Sequence, residues 1–327
     1  MNGPRRARGG WLPPGLGRRL AWLAVSLLLL GGFGPAGAEE GRLRVWLVLS
    51  EPGGAYAELA RALEAGLSDR VELTTRVLES GESWVPAVKG GDLIVPVGLK
   101  AAQAVAQLDL PGPVLAALLP RQGYEALFNH GQAARRPVSA LVLDQPWERQ
   151  LALVRLALPK AERVGVLLGP GSQGQKGDLS RAAQQVGLRL NAATVSQASE
   201  VFVRQRELLR GNEVLLAVPD PLVLNPATLM SYLISAYRAR VPIVGFSPSL
   251  AEAGALAAVY STPEQIGRQL SELIVELAHG RSARPARLIY PRYFKVSVNR
   301  QVARSLELEI APDDWLQRQL EARGDKS

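Results

Sequence analysis

The segment "EVLLAVPDPLVLNPATLMSYLISAYRARVPIVGFS" (213–247) places a helix-like stretch between two apolar runs. The runs 213–220 and 241–247 lack polar alternation, which is typical of strands buried on both faces. The stretch 225–240 begins with Asn225 and Pro226, which favours a helix start because Asn caps and Pro fits the first turn. A strand, a helix and a strand in this order predict one unit of a parallel sheet.

The same alternation extends through most of the chain on both sides of this segment. Further strands are predicted at 44–50, 70–78, 92–98, 113–120, 138–143, 163–169, 188–195 and 255–261. Helices are predicted at 55–68, 99–108, 147–158, 178–187, 199–211 and 262–280, with a helical turn at 248–254. We therefore expect an α/β protein of two doubly wound parallel-sheet lobes joined by a hinge. A cleft between lobes is the usual place for a small ligand.

The positions of three prolines predict where the chain crosses between the lobes. Strands run out at Pro146, Pro263 and Pro285, so crossings are expected near 143–147, 259–263 and 285–291. The N-terminal lobe would combine 42–143 with 262–284. The C-terminal lobe would combine 146–258 with 290–310, and 311–327 would form a C-terminal tail.

The first 38 residues have the three parts of a secretory signal peptide. Five arginines precede an apolar run at 20–34, and Ala36-Gly37-Ala38 offers a cleavage site. The apolar run is shorter than the roughly 20 residues that span a bilayer, which argues against the alternative of an uncleaved anchor. The chain has no Cys, so no lipidated cysteine and no disulfide is possible. We expect a mature protein that begins at Glu39 and is exported to the periplasm without a lipid.

The net charge of +8 is concentrated in this leader. Its five arginines have no acidic counterpart, so residues 39–327 carry only about +3. No basic stripe with interleaved aromatic residues remains, so nucleic acid is not an expected partner.

Asp220 stands between Pro219 and Pro221 at the carboxyl end of a predicted buried strand. In open α/β sheets, ligands bind outside the carboxyl ends of the strands. One interpretation is that Asp220 faces the cleft and accepts hydrogen bonds from an ammonium or hydroxyl group of a ligand. The other is that it caps the following turn, which bonds to the backbone N–H groups of residues 222–224 would indicate. Phe246, at the end of a neighbouring strand, is either a ligand contact or an ordinary core residue.

The stretch "GPGSQG" (169–174) matches the G-x-G-x-x-G pattern of dinucleotide-binding loops. That fingerprint also needs an acidic residue about 20 positions on, at the end of the next strand. The next predicted strand, 188–195, contains no acidic residue, and the first acidic residue after it is Glu200. The remaining alternatives are a loop whose backbone and Ser172 donate hydrogen bonds to a ligand in the cleft and a solvated glycine turn.

Catalysis has little support in this sequence. The only histidines are His130 and His279, no Cys nucleophile exists, and no G-x-S-x-G elbow is present. Metal-ligand spacing of His, Cys and acidic residues is absent as well. "APDDW" (311–315) pairs two carboxylates, which the start of a helix explains. We expect a protein that is not an enzyme and that needs no cofactor or metal.

Several motifs together resemble a known family. They are the strand followed by Pro219-Asp220, "PIVGF" (242–246), "EAGAL" (252–256), "FKVSVN" (294–299) and "ARSLELEIAP" (303–312). The resemblance is to the substrate-binding proteins of ABC transporters that include tryptophan- and tyrosine-type binding proteins, and it is strongest over 213–310.

The resemblance implies a type I periplasmic-binding fold, whose two lobes close on a solute. It places the ligand loops at Ser50, Glu51, Gly98, Ser172, Gln173, Asp220, Phe246, Ser247, Gly254 and Ala255. It also implies a monomer that delivers a small-molecule solute to an ABC permease in the inner membrane. The alternative is a periplasmic sensor or adaptor that uses the same fold to bind a membrane protein. The sequence does not name the solute.

Overall fold

The structure is a computed structural model, and it describes Gly3 and residues 42–79, 88–129, 138–280 and 285–324. Except for Gly3, the expected signal peptide lies outside the described residues, and so does the expected cleavage point before Glu39. His130 lies outside them as well. Residues Arg42–Ser327 form one compact unit.

The described part of the chain alternates strands and helices. The strands are β1 (Leu43–Leu49), β2 (Val71–Val77), β3 (Leu93–Val97), β4 (Val114–Leu119), β5 (Val138–Val142), β6 (Arg163–Leu168), β7 (Arg189–Thr194), β8 (Val214–Leu216), β9 (Ile243–Gly245), β10 (Ala257–Tyr260), β11 (Leu288–Ile289) and β12 (Lys295–Val298). The helices are α1 (Gly54–Ala65), α2 (Leu99–Gln107), α3 (Arg121–Phe128), α4 (Trp147–Ala157), α5 (Lys176–Gln185), α6 (Val201–Gly211), α7 (Leu229–Arg238), α8 (Pro248–Ala253), α9 (Pro263–Ala278), α10 (Arg300–Ser305) and α11 (Asp313–Gly324).

These strands form two six-stranded sheets, one in each lobe. The first has the order β11-β5-β4-β3-β1-β2 and is parallel throughout. The second has the order β12-β10-β9-β8-β6-β7, and only β12 runs antiparallel to its neighbour. The prediction of two doubly wound parallel-sheet lobes is confirmed, and the antiparallel β12 is the one departure from it in the described sheets.

Helices cover both faces of each sheet, which explains why the strands read as continuous apolar runs. In the first lobe, α1 and α9 bury one face with side chains such as Leu59 and Ile266, and α2 and α3 cover the other. In the second lobe, α4, α5 and α11 cover one face, and α6, α7 and α8 cover the other. The 313–324 segment belongs to this core, because Leu316 and Leu320 of α11 are buried in it.

The chain passes between the two sheets at three places, which we call the hinge segments. They are 143–146 between β5 and α4, 261–262 between β10 and α9, and 290–294 between β11 and β12. The second of them leads into α9 through a capping box, in which Thr262 Oγ1 accepts from Gln265 N and Gln265 Oε1 accepts from Thr262 N. This box fixes the direction in which the chain enters the first lobe.

Local features differ from the predictions at several places. Helix α3, strands β11 and β12 and helices α10 and α11 were not among the predicted elements, because they are short or carry few apolar residues. The segment 311–327, expected as a C-terminal tail, contains α11, which packs into the second lobe. The helix predicted for 225–240 begins only at Leu229. Asn225 instead caps the preceding turn, where its Oδ1 accepts from Ala227 N (3.0 Å) and Thr228 N (3.2 Å). In the part of the chain that the structure describes, no helix combines the length and apolar character that crossing a bilayer requires.

Candidate ligand-binding cleft

A cavity of about 520 Å³ lies between the two lobes, where the carboxyl ends of both sheets meet. Its walls come from both lobes and from two hinge segments: Ala55, Tyr56, Leu118, Pro120, Leu143, Asp144, Gln145, Gln150, Pro219, Phe246, Ser247, Pro248, Tyr260, Ser261 and Pro263. The volume is within the range of small-molecule sites. Apolar and aromatic side chains form most of the walls, and a few polar groups lie among them.

The backbone at the end of β4 is strained where it meets the cavity. Leu118 has φ 55°, in the left-handed region that is costly for a non-glycine residue. The pairing register of β4 with β5 shifts between Ala117 and Leu119. Such an irregularity re-aims a side chain, and Leu118 is one of the residues that line the cavity.

Gln145 connects two of the hinge segments directly, and a shared partner extends the link to the third. Its Nε2 donates to Ser261 Oγ (2.9 Å), and Ser261 Oγ donates to the carbonyl of Tyr293 (2.6 Å). All three crossings therefore belong to one hydrogen-bond network beside the cavity. This network links the hinge segments to one another.

Arg149, in the first turns of α4, completes the network from the second lobe. Its guanidinium donates to Gln145 Oε1 (2.6 Å) and to the carbonyl of Pro291 (2.8 Å). The guanidinium carbon lies 4.1 Å from the centre of the Phe294 ring, a cation–π distance. Burial lowers the pKa of Arg149 to about 10, so this group stays charged at neutral pH.

Asp144 supplies a carboxylate to the cavity. Its Oδ2 accepts from the backbone N of Arg121 at 2.6 Å, which ties the hinge to the start of α3. Burial raises the pKa of Asp144, although this bond and the charge of Arg121 act in the opposite direction. Arg121 itself pairs with Glu125 and donates to the hydroxyl of Tyr290.

Gln150 has one unsatisfied atom. Its side chain is 1% exposed, and Nε2 donates to the carbonyl of Gln145 at 2.9 Å. Among the described residues, Oε1 has no hydrogen-bond partner. A buried acceptor without a partner costs about 1–3 kcal/mol, so such atoms are uncommon and call for an explanation.

Of the ten residues that the resemblance assigned to ligand loops, two line the cavity. Phe246 and Ser247 follow β9 and face the first lobe across it. Ser247 also caps α8, since its Oγ accepts from Leu250 N at 3.2 Å. Gly254 and Ala255 lie at the other end of α8 and do not line the cavity.

The predicted residues of the first lobe lie behind the cavity wall. Ser50 is buried, where its Oγ accepts from Ala101 N (2.9 Å) and donates to the carbonyl of Val97 (2.8 Å). Gly98 has φ 87° and packs against Ser50 and Tyr56. Glu51 is exposed and does not line the cavity. Ser50 and Gly98 thus support Tyr56, which does line it.

Asp220 is buried within the second lobe, at 1% exposure. Its Oδ2 accepts from Ser172 Oγ (2.7 Å), and its Oδ1 accepts from Leu222 N (3.0 Å). The carboxylate also fills the space that a Cβ at Gly169 would need. This matches the local-bonding alternative in the sequence, since the carboxylate joins the loops after β6 and β8. Pro219, and not Asp220, lines the cavity. Gln173 is exposed and does not line the cavity.

The residues that sequence reasoning missed are Tyr56, Asp144, Gln145, Gln150, Tyr260 and Ser261. Asp144 and Gln145 follow directly after β5, inside a predicted crossing, and Tyr260 and Ser261 occupy another. The rule that ligands bind at the carboxyl ends of strands could have found these four. Gln150 could not be found in this way, because the sequence does not show whether a Gln on the buried face of a helix has a hydrogen-bond partner for its side-chain oxygen.

Comparison with known proteins gives one family and one fold. Residues 87–319 match the family described as ABC transporter substrate binding protein. No curated protein matches the chain.

Three solved structures have the same fold. The first is the ABC domain in complex with L-Trp from Streptococcus pneumonia, 18% identical and with a TM-score of 0.55, where the match covers 85% of this chain and 98% of that one. A conserved domain protein from Vibrio cholerae is 20% identical with a TM-score of 0.54 and the same two coverages. The ligand-free, open structure of a substrate binding protein with adhesive properties from Clostridium difficile is 17% identical, with a TM-score of 0.62 and coverages of 83% and 97%.

The family match spans more than half of the chain, and the fold agrees with it. The predicted resemblance is therefore confirmed. This chain belongs to the ABC transporter substrate-binding protein family.

Proposed function

We propose that the protein is the solute-binding component of an ABC importer and that it captures a small molecule between its lobes by hinge closure. The observation that carries this proposal is the cavity of about 520 Å³ between the lobes, with walls from both of them. A ligand in such a site contacts both lobes at once, so its binding energy favours the closed arrangement.

The chemistry of the cavity supports a solute with a substantial apolar part. Tyr56 of the first lobe and Phe246 and Tyr260 of the second supply aromatic surface. Aromatic side chains contribute large contact areas and prefer stacked or edge-on partners. The hydrogen-bond network around Gln145 lies at the hinge side of this space and fits the role of a pivot.

The expected cellular setting belongs to the same proposal. The features of residues 1–38 support export to the periplasm through a cleaved signal peptide, and the absence of Cys excludes a lipidated cysteine. The protein would act there as a monomer and deliver its solute to a permease in the inner membrane. The nearly balanced charge of residues 39–327 supports a role without nucleic acid.

The proposal is tested by isolating the protein from the envelope of its own source and identifying what is bound to it. We expect native mass spectrometry to show one small molecule for each chain. The Phe246→Ala variant should lose it, and Tyr237→Ala, which removes an exposed ring on α7 outside the cleft, should retain it. A wild-type protein that carries no small molecule and binds none from an envelope extract would contradict the proposal.

A second candidate function, the sensor or adaptor, is favoured by one surface feature. Met230, Ile234 and Tyr237 are 53%, 44% and 48% exposed, and their spacing places them on one face of α7. An adaptor would use such a face for its protein partner. Charged substitutions on this face that abolish function in the cell, in a protein whose wild type binds no small molecule, would favour the adaptor.

A further inference from the structure

The hinge side of the cavity holds a buried hydrogen-bond acceptor whose orientation is fixed. Gln150 Nε2 donates to the Gln145 carbonyl, so the amide cannot be turned around without losing this bond. Oε1 is consequently the free end, and no donor among the described residues reaches it. Because Gln150 lines the cavity, a bound molecule could supply the missing donor.

The neighbouring polar side chains are already committed to each other. Gln145 uses its Oε1 for Arg149 and its Nε2 for Ser261, and Ser261 donates to the carbonyl of Tyr293. Asp144 is different, because a carboxylate can accept about four hydrogen bonds and only the backbone N–H groups of Arg121 and of Asp144 itself donate to it among the described residues. The groups at this end of the cavity that can form further hydrogen bonds are therefore both acceptors, the Gln150 amide oxygen and the Asp144 carboxylate.

The lining residues also show which ligand charge the cavity favours. Among the described residues that line it, none is Lys, Arg or His, and Asp144 is the charged one. A carboxylate or phosphate placed beside Asp144 would be repelled, while a cation would be attracted. Pairing with Asp144 would offset part of the cost that a cation pays on leaving water. The nearby Arg121 acts on Asp144 as well, but its own charge is paired with Glu125.

We propose that Asp144 and Gln150 form a subsite for a protonated amine, carried by a solute whose apolar part lies against the aromatic side chains of the cavity. The ammonium group has three donors, which suit a carboxylate and an amide oxygen together. This inference rests on the proposed solute-binding function and adds the chemical class of the solute and the end of the cleft that reads it.

Three probes with one aromatic body and different charge test the subsite: 2-phenylethylamine, 2-phenylethanol and 3-phenylpropionate. Calorimetry on the purified protein at neutral pH should give at least about tenfold tighter binding of the amine than of the alcohol, and weaker binding still of the carboxylate. Equal or tighter binding of the alcohol or the carboxylate would overturn the subsite and leave the solute-binding function standing. Binding of none of the three would also overturn the subsite as proposed, and the small molecule recovered from the envelope would decide the function separately.

Two variants connect the preference to the named residues. Gln150→Met and Asp144→Asn should each weaken binding of the amine about tenfold and binding of the alcohol clearly less, because the alcohol has one donor and no charge. A matched control is Gln205→Met, because Gln205 is equally buried, donates to the carbonyl of Tyr232 at 2.7 Å and lies outside the cleft. The control should keep the preference for the amine even where it lowers the melting temperature. Loss of alcohol binding in parallel with amine binding would show a structural role only and would overturn the assignment.

Discussion

The side-chain amide of Gln122 in the first lobe occupies the space that a Cβ atom at Gly171 in the second lobe would need. Gln122 belongs to α3, and Gly171 lies in the loop that follows β6. The two lobes therefore touch at the edge of the cleft, and a glycine at 171 permits this approach. The pattern "GPGSQG" thus has a physical explanation that requires no nucleotide: Gly169 makes room for Asp220, and Gly171 makes room for Gln122.

We expect Gly171→Val to weaken ligand binding by less than about tenfold, because the added side chain displaces Gln122 where the lobes meet. The atoms in the way are the end of a flexible side chain that can turn aside, so the cost is below the about 1–3 kcal/mol of overpacking in a core. The melting temperature of the ligand-free protein should change little, since the lobes can move apart. Calorimetry with the amine probe and thermal unfolding without ligand measure the two effects.

Gly174→Val is the control for this prediction. Gly174 lies in the same loop, and a Cβ there would meet no atom within 4 Å. It should bind the probe as the wild type does. Equal loss of affinity in both variants would mean that the loop acts through its flexibility and not through contact with Gln122.

Much of the fold could be predicted because its signals are local. The apolar runs of β1, β3 and β6 and the Thr262-Pro263 start of α9 identify their elements without tertiary information. Helix α3 and the bulge at Leu118 could not be predicted in this way. Their conformations depend on contacts with the other strands and the hinge, and a short segment does not record those contacts.

The site was harder to predict than the fold. Asp220 has the sequence position of a ligand residue, yet its carboxylate is consumed by Ser172 and Leu222 N of its own lobe. Asp144 has no motif around it, yet it lines the cavity. Asp220 and Asp144 differ in the direction in which the side chain points at the end of its strand. The pattern and spacing of residues in the sequence do not determine this direction.

We expect Asp220→Ala to destabilise the protein by about 1–3 kcal/mol, because Ser172 Oγ and Leu222 N would lose their buried acceptor. Ser172→Ala should destabilise it less, since one bond is lost and Asp220 keeps the other. The double variant should be less destabilised than the sum of the two single variants, because the residues share one bond. Urea unfolding of the four proteins gives the coupling energy. Additive effects would show that the Ser172–Asp220 bond contributes nothing measurable.

We expect Arg149→Lys to lower the free energy of unfolding by about 1–3 kcal/mol. The planar guanidinium bonds to Gln145 Oε1 and the Pro291 carbonyl and lies over Phe294, and an ammonium group cannot reproduce this geometry. Arg181→Lys is the matched control, because Arg181 is exposed and, within the described residues, forms an ion pair with Asp178 three residues away. Its effect should be within about 0.5 kcal/mol. If Arg149→Lys unfolds at the same urea concentration as the control, the hinge network does not contribute to stability.

The last prediction concerns pH and Asp144. Burial raises its pKa above the usual value of 3.8, so the folded protein binds this proton more readily than the unfolded chain does. Ionised Asp144 therefore lowers stability at neutral pH, and this loss is recovered as the pH falls through the raised pKa. Asp144→Asn lacks the ionisation, and its amide oxygen can still accept from Arg121 N. The melting temperature of the wild type relative to Asp144→Asn should therefore rise as the pH falls from neutral toward the usual Asp value and become constant below that value.

Binding of the amine probe should change in the opposite direction over the same range, because protonation of Asp144 removes the negative charge that attracts the ligand. The charged and titratable groups that face Asp144 are Arg121, Glu125 and Tyr290. Glu125 is the other carboxylate among them, so the measurement is repeated in Glu125→Gln. If the affinity for the amine decreases as the pH is lowered in the wild type and in Glu125→Gln, but not in Asp144→Asn, the dependence belongs to Asp144. A fall that persists in Asp144→Asn would show that another group controls it.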